Sequence, residues 1–324
     1  MKPAETKAYI ATLKKLAKSN KSLEFLQGVG IRDGIAEATD LTTMVKINLG
    51  IKGQAVYNTM ALDIFAQTPD ADLEPYKVAD LEDWPELPDY VWTDPVDITP
   101  ELDAAILEGR DYASSDQTRP ALTAVWLRQG EVQATDGYKM YLSGPIKNLD
   151  KNDVLNLRAE VIDLYKKMRK YGTWTYQFAE NGTMRLTNGV AEIIANCIDA
   201  TFPDVRALAE KSSQFYQRIH LPIAQLRTII DRKVTGIYVN RDGSIKLDQT
   251  PVPFTATIEE QPITLFPASP RRVVMPLVNH DNNVALAVNP VLLRQYKPDK
   301  SGYIELAITL TDRPVATPVE VIVP

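Results

Sequence analysis

Cysteine and histidine are nearly absent from this chain. Cys197 is its single cysteine, which excludes an internal disulfide and any cysteine-cluster zinc site. The two histidines, His220 and His280, are far apart in sequence, so a two-histidine metal site or a Ser/His/Asp triad is hard to assemble. No metal and no cofactor is expected. Long apolar runs are missing as well. Nothing approaches the roughly 18 consecutive apolar residues of a membrane span, so no membrane partner is expected. The opening Met1-Lys2-Pro3-Ala4-Glu5 lacks an apolar signal region, which points to a cytoplasmic protein. In that setting Asn181-Gly182-Thr183 reads as a turn rather than a glycosylation acceptor. Asp40 and Asp136 each sit in a Thr-Asp turn, but no paired base, nucleophile or metal cluster accompanies them. An enzyme is therefore disfavoured.

What is present is an ordinary globular composition, 44% apolar and 24% charged, with length for about two or three domains. Pro3 opens a helix whose stripe over Thr6–Asn20 is Tyr9, Ile10, Leu13, Leu16 and Ala17. Strands are expected at Ser22–Val29, Gly34–Ala38 and Thr42–Leu49, with a turn at Arg32-Asp33-Gly34. A short helix follows over Asn58–Gln67, with Met60, Leu62, Ile64 and Phe65 as its apolar set. Residues 68–97 are rich in proline and acid and read as a solvated, extended connector. Thr99-Pro100 is a cap followed by a first-turn proline, opening a helix to about Arg110. A strand over Leu122–Arg128 leads to the turn Thr135-Asp136-Gly137. A helix over about Arg158–Lys170 buries Val161, Leu164, Tyr165 and Met168. Strands Thr173–Ala179, Thr183–Thr187 and Val190–Ala200 come next. Pro222 opens another helix to about Lys233. Strands then flank Arg241-Asp242-Gly243 and continue through Val252–Ile258 and Arg271–Val278. Asn289-Pro290 starts a last helix, and strands Tyr303–Leu310 and Pro318–Val323 close the chain.

One plan thus occurs three times: helix, strands, helix, strands. The fold class is α+β, with three similar domains of two helices packed on antiparallel sheets. The boundaries are 1–97, the shortened first domain with its acidic connector, then 98–208 and 209–324.

Net charge is −6, which by itself disfavours nucleic acid, yet its distribution is uneven. The six helical stretches together carry +8, so the remainder carries −14. Residues 6–20 hold four lysines and no acid, and residues 158–170 hold five bases and two acids. Positive charge therefore lies on helix faces turned away from the sheets, a surface suited to a polyanion. Neither a recognition-helix or zinc-finger signature nor aromatic-basic interleaving is present, so contact with nucleic acid would be through backbone charge, without sequence preference.

Several stretches, in order, are similar to the bacterial DNA polymerase III beta subunit, or DNA sliding clamp, family. Ala38-Thr39-Asp40-Leu41 is similar to its G-T-D-L, and Asp83-Trp84-Pro85-Glu86-Leu87 to its F-P-N-L. Ala134-Thr135-Asp136-Gly137-Tyr138-Lys139-Met140 is similar to A-T-D-G-H-R-L. Phe202-Pro203-Asp204-Val205-Arg206 is similar to F-P-D-Y-R, and Val321-Ile322-Val323-Pro324 to V-V-M-P. The order of elements matches over nearly the whole chain. Departures are the short first domain, Tyr138 in place of histidine, Ala207-Leu208-Ala209-Glu210 where the family has a second proline, and an end at Pro324.

The resemblance implies a divergent clamp: a homodimer ring of six clamp domains that encircles double-stranded DNA as a processivity factor. Lys7, Lys14, Lys15, Lys18, Lys166, Lys167, Lys170, Arg227 and Arg232 would face the duplex. A replicative polymerase and a clamp loader would dock short peptides into a pocket of Thr135, Gly137, Tyr138, Lys139 and Met140 with Val321, Ile322, Val323 and Pro324. Tyr76 and Val78 would meet Ile229 and Ile230 of the second copy. The competing expectation is a clamp-like interaction protein that binds clamp partners without encircling DNA.

Overall fold

The computed structural model describes residues 2–19, 23–137, 140–152, 154–207, 216–229, 237–239, 242–248, 250–259, 271–280, 283–286, 304–309 and 318–323. By compactness the chain divides into two units, Met1–Leu107 with Leu155–Asp199, and Glu108–Val154 with Ala200–Pro324.

The first unit is built on a nine-stranded antiparallel sheet. Its early strands are β1 (Val29–Arg32), β2 (Gly34–Thr39), β3 (Thr43–Ile51), β4 (Ala55–Tyr57), β5 (Lys77–Ala79) and β6 (Val96–Asp97). Its later strands are β11 (Thr175–Phe178), β12 (Thr183–Thr187) and β13 (Ala191–Asn196), in the order β5-β4-β1-β2-β3-β13-β12-β11-β6. The join between early and late strands is β3–β13, where Ile47 faces Ala191 and Val45 faces Ile193. Asp33 and Gly34, at φ 49° and 84°, make the tight β1–β2 turn that the Asp-Gly pair announces.

Helix α1 (Pro3–Ala17) buries the full stripe Tyr9, Ile10, Leu13, Leu16 and Ala17. The buried Thr12 satisfies its hydroxyl by donating to the Ala8 carbonyl at 2.9 Å. Strand β10 (Val154–Arg158) leads into α4 (Ala159–Met168), which buries Val161, Leu164, Tyr165 and Met168 together with Ala159 and Ile162. Helix α2 (Met60–Gln67) departs from expectation at its first residue. Ala61, Leu62 and Phe65 are buried, while Met60 is 59% exposed. Positions 61 and 62 lie one turn before 65, whereas 60 is rotated well off that face. Helix α3 (Pro100–Arg110) starts where its cap announces, with the Leu102 N–H donating to Thr99 Oγ1 at 3.2 Å.

The structure corrects two expectations. Glu24–Gln27 forms a 3-10 turn where the sequence pattern predicts a strand, and it delivers Leu26 to a core with Val56 and Trp84. The connector is solvated over most of its length but is not merely extended. Trp84 is 2% exposed, and its indole N–H donates to Glu37 Oε2 at 3.1 Å. The indole lies over Gly30, where a Cβ would come within 2.8 Å of the ring. Glu37, also buried, is neutralised by Lys46 at 3.2 Å and Arg32 at 3.5 Å. The connector also contributes the two end strands, β5 and β6.

In the second unit β7 (Ala124–Arg128), β8 (Glu131–Thr135) and β9 (Met140–Leu142) form an antiparallel meander. The β7–β8 turn at Gln129-Gly130 has no counterpart in the sequence reading, so β8 is an extra strand between Arg128 and the Asp136-Gly137 turn. Trp126 stacks on Phe202 at 5.1 Å. Strand β14 (Tyr216–Leu221) pairs with β18 (Thr257–Glu259) and β21 (Ile304–Thr309), while β15 (Ile237–Val239), β16 (Ser244–Leu247) and β17 (Thr250–Thr255) form a second sheet. Strand β19 (Arg271–His280) lies between β20 (Asn283–Leu286) and β22 (Pro318–Val323). Of the helix expected from Pro222, α5 (Ile223–Leu226) and a turn through Ile229 are described. The helix expected from Asn289 lies outside the described residues.

Candidate functional site

Basic side chains converge where α1 and α4 pack together in the first unit. Because each helix turns its apolar stripe inward, its lysines fall on the remaining face. Lys7, Lys15, Lys18, Lys166, Lys167 and Lys170 are all exposed, and Lys14 is half-buried. Lys15 stands close enough to act electrostatically on Lys167. Burial and then this like charge lower the Lys167 pKa from its ordinary value. Lys170 Nζ lies 5.1 Å from the Tyr171 ring centre. Lys14 Nζ reaches Asp63 Oδ2 of α2 at 2.5 Å.

A polar seam fixes the two helices relative to each other. The Tyr171 hydroxyl donates to the Ala4 carbonyl at 3.0 Å, and its ring meets Tyr9 edge-on at 5.8 Å. The Asn188 amide donates to the Tyr9 hydroxyl at 3.0 Å and to the Tyr171 carbonyl at 2.5 Å. Asn188 carries no signal in the sequence beyond its Asn-Gly turn. Arg227 is half-buried in the second unit, and Arg232 lies outside the described residues.

The second candidate region lies wholly in the second unit. Thr135 is buried at the end of β8, and its Oγ1 accepts from the Gly137 N–H at 3.0 Å. Gly137 has φ 90°, a conformation natural to glycine. Arg119, ion-paired to Asp116 at 3.0 Å, lies against Gly137, with a guanidinium nitrogen 2.9 Å from where a Cβ would stand. Sequence reasoning misses Arg119; the Asp116–Arg119 spacing is its only trace. Met140 opens β9 opposite Thr135. Val321, Ile322 and Val323 lie on β22 and pair with Val273, Arg272 and Arg271 of β19, and β19 in turn contacts β9. Tyr138, Lys139 and Pro324 lie outside the described residues.

Of the residues expected at the subunit contact, Tyr76 is half-buried and ends the 3-10 turn Glu74–Tyr76. Val78 is 52% exposed on β5, the end strand of the nine-stranded sheet. Ile229 is 41% exposed, and Ile230 lies outside the described residues. Among the described residues no cluster of three His, Cys, Asp or Glu side chains could hold a metal ion, and no helix is long and apolar enough to cross a membrane.

Helices backed by antiparallel sheets, in this order, define the bacterial sliding-clamp fold, an α+β architecture that solved clamps share over nearly the whole chain. The chain is similar to the DNA polymerase III beta subunit of Thermotoga maritima, with a TM-score of 0.65 and 17% identity over 99% of this chain and 96% of that one. It is likewise similar to the sliding clamp of Bartonella birtlesii bound to griselimycin, with a TM-score of 0.68, 14% identity and coverage of 98% and 96%. The beta subunit of Streptococcus pyogenes gives 0.66 at 12% identity, covering 98% and 96%. No family model matches the chain, and no curated protein matches its sequence.

Proposed function

We propose that this chain is a DNA sliding clamp, a non-enzymatic, cytoplasmic processivity factor that encircles duplex DNA and tethers replication proteins. The observation that carries the reading is the set of exposed lysines where α1 and α4 pack together. Crowded ammonium groups repel in the free protein, and phosphates relieve that repulsion. Lys7, Lys14, Lys18, Lys166 and Lys170 extend the face, and in the ring reading Arg227 and Arg232 of the third domain also face the duplex. Hydrated ammonium groups attract phosphates without reading bases, which suits sliding rather than fixed attachment.

In this reading the domains are 1–97, 98–208 and 209–324, and two copies close a six-domain ring. The β5 edge, with Val78 and Tyr76, meets Ile229 and Ile230 of the second copy. Polymerase and loader peptides dock beside Thr135, Gly137, Tyr138, Lys139 and Met140, against Val321–Pro324. Deleting Ile322–Pro324 should abolish peptide capture, read by fluorescence anisotropy, while the chain stays folded.

Retention on DNA tests the main claim. Loaded protein should stay on closed-circular DNA in high salt and run off once the circle is cut. Equal retention on both forms would overturn encirclement. A second reading, a clamp-like protein that binds partners without closing, is favoured by the three-residue length of β5. A 36.2 kDa monomer at every concentration in light scattering would select it.

A further inference from the structure

Two of the described turns, Thr39-Asp40 and Thr135-Asp136, share a hydrogen bond and differ in the residue that follows the aspartate. Thr39 Oγ1 accepts from the Leu41 N–H at 3.0 Å, as Thr135 Oγ1 does from Gly137. The residue after the aspartate has positive φ in both, 74° at Leu41 and 90° at Gly137. Glycine adopts that conformation without steric cost, whereas a leucine Cβ crowds the backbone. Asp40 Oδ1 locks the strained form by accepting from the Thr42 N–H and hydroxyl and from the Thr43 N–H, at 2.8 to 3.0 Å. The outcome is a leucine held rigidly with 56% of its surface exposed. Strain of this kind persists where something uses it.

Leu41 borders a cavity of about 210 Å³ lined also by Met44, Pro85, Leu87, Tyr90 and Ile194. The connector that forms one wall is anchored by the buried Trp84, so the cavity is preformed. Its volume falls below the roughly 300–1,000 Å³ of small-molecule sites, which favours a side-chain anchor as occupant. The surroundings are acidic. Residues 68–97 carry ten acidic side chains and one lysine; Glu86 lines the cavity, and Asp40 and Asp89 are sequence neighbours of lining residues. Two bases stand near them: Arg32 is bonded to Glu86 at 3.0 Å, and Arg158 donates to the carbonyl of the lining residue Asn196 at 3.0 Å.

We propose that this cavity docks a short, extended segment of a partner protein, with leucine or phenylalanine anchors flanked by lysine or arginine. The site is separate from the pocket proposed around Thr135, and either can exist without the other. The probe is fluorescein-labelled Lys-Lys-Leu-Phe-Lys-Lys, with a benzophenone on the phenylalanine ring for photo-crosslinking to the full chain. Crosslinks are expected within residues 39–44 and 85–90. Leu41→Gly, which the backbone accommodates, should weaken binding at least tenfold at unchanged Tm. Replacing the four lysines of the probe by glutamate should weaken it at least as much at low salt. Unchanged affinity in Leu41→Gly, or no crosslinking, would overturn the proposal. Crosslinks confined to residues 135–142 and 318–323 would overturn it and leave the other pocket standing. Probe binding that fades as the protein self-associates would assign the cavity to a second copy, and so overturn it too.

Discussion

Two helix pairs in the first unit share a plan and differ in how their members are joined. In each pair a basic helix stands beside an acidic one, α1 beside α2 and α4 beside α3. Across the first pair, Lys14 meets Asp63 through side chains that are 25% and 48% exposed. Across the second, Asp103 is only 18% exposed and takes both the Arg169 guanidinium and the Tyr165 hydroxyl, the latter at 2.8 Å. Burial, and then the bond to Asp103, raise the Tyr165 pKa, so the phenol remains a donor. Each basic helix thus gives one base to its neighbour and keeps its other bases exposed. The α1–α2 link is a solvated ion pair, while the α3–α4 link is a shared, mostly buried acceptor. The second should matter more for stability, and the exposed lysines of both should matter mainly for polyanion binding.

The largest expected effect comes from reversing the exposed charge of α4. Lys166→Glu, Lys167→Glu and Lys170→Glu together should weaken binding to a short duplex by about tenfold or more. The salt slope should also fall by roughly 0.9 for each phosphate that is no longer neutralised. Tm should stay within a few degrees, and unchanged retention would remove this face from the DNA interface. Next in size, Asp103→Ala leaves the Tyr165 hydroxyl and Arg169 without their acceptor. Denaturant unfolding should show a loss of about 1–3 kcal/mol. The matching change on the other pair, Asp63→Ala, should cost less than about 1 kcal/mol, because exposed ion pairs contribute little. It should also release Lys14 and tighten duplex binding slightly. Equal costs for the two aspartate variants would erase the difference between the two pairs. The smallest effect is on pH dependence. With its pKa lowered by burial and by Lys15, Lys167 sheds its proton earlier than an ordinary lysine as pH rises. Duplex affinity should therefore begin to fall below the ordinary lysine range, and Lys167→Arg should move the onset upward, which a pH titration of anisotropy would detect.

Helices α1, α3 and α4 are legible in the sequence because their information is local. The stripe of α1 and that of α4 can be read at 100° per residue, and Thr99-Pro100 announces α3 at its first residue. The Asp33-Gly34 and Asn181-Gly182 turns are equally readable, since few residues tolerate positive φ. The basic face is legible in part: the lysines can be counted, but the proximity of Lys15 and Lys167 cannot. The 3-10 turn at Glu24–Gln27 reads as a strand because Phe25 and Leu26 are as apolar as one. Strand β8 escapes a pattern reading because Glu131 and Gln133 are polar yet buried. Such residues are buried only when distant partners satisfy them, as Arg206 does for Glu131 at 2.5 Å.

By itself the sequence determined the helix faces, the tight turns and the uneven distribution of charge, because periodicity, glycine and lysine act over a few neighbouring residues. Only the tertiary structure decided that β3 joins β13, that Trp84 anchors an acidic connector over Gly30, and that α1 and α4 bring their lysines to one face. Those outcomes depend on pairing between residues far apart in the chain. There the choice among many possible partners is made by shared burial and hydrogen bonding, which no local pattern encodes.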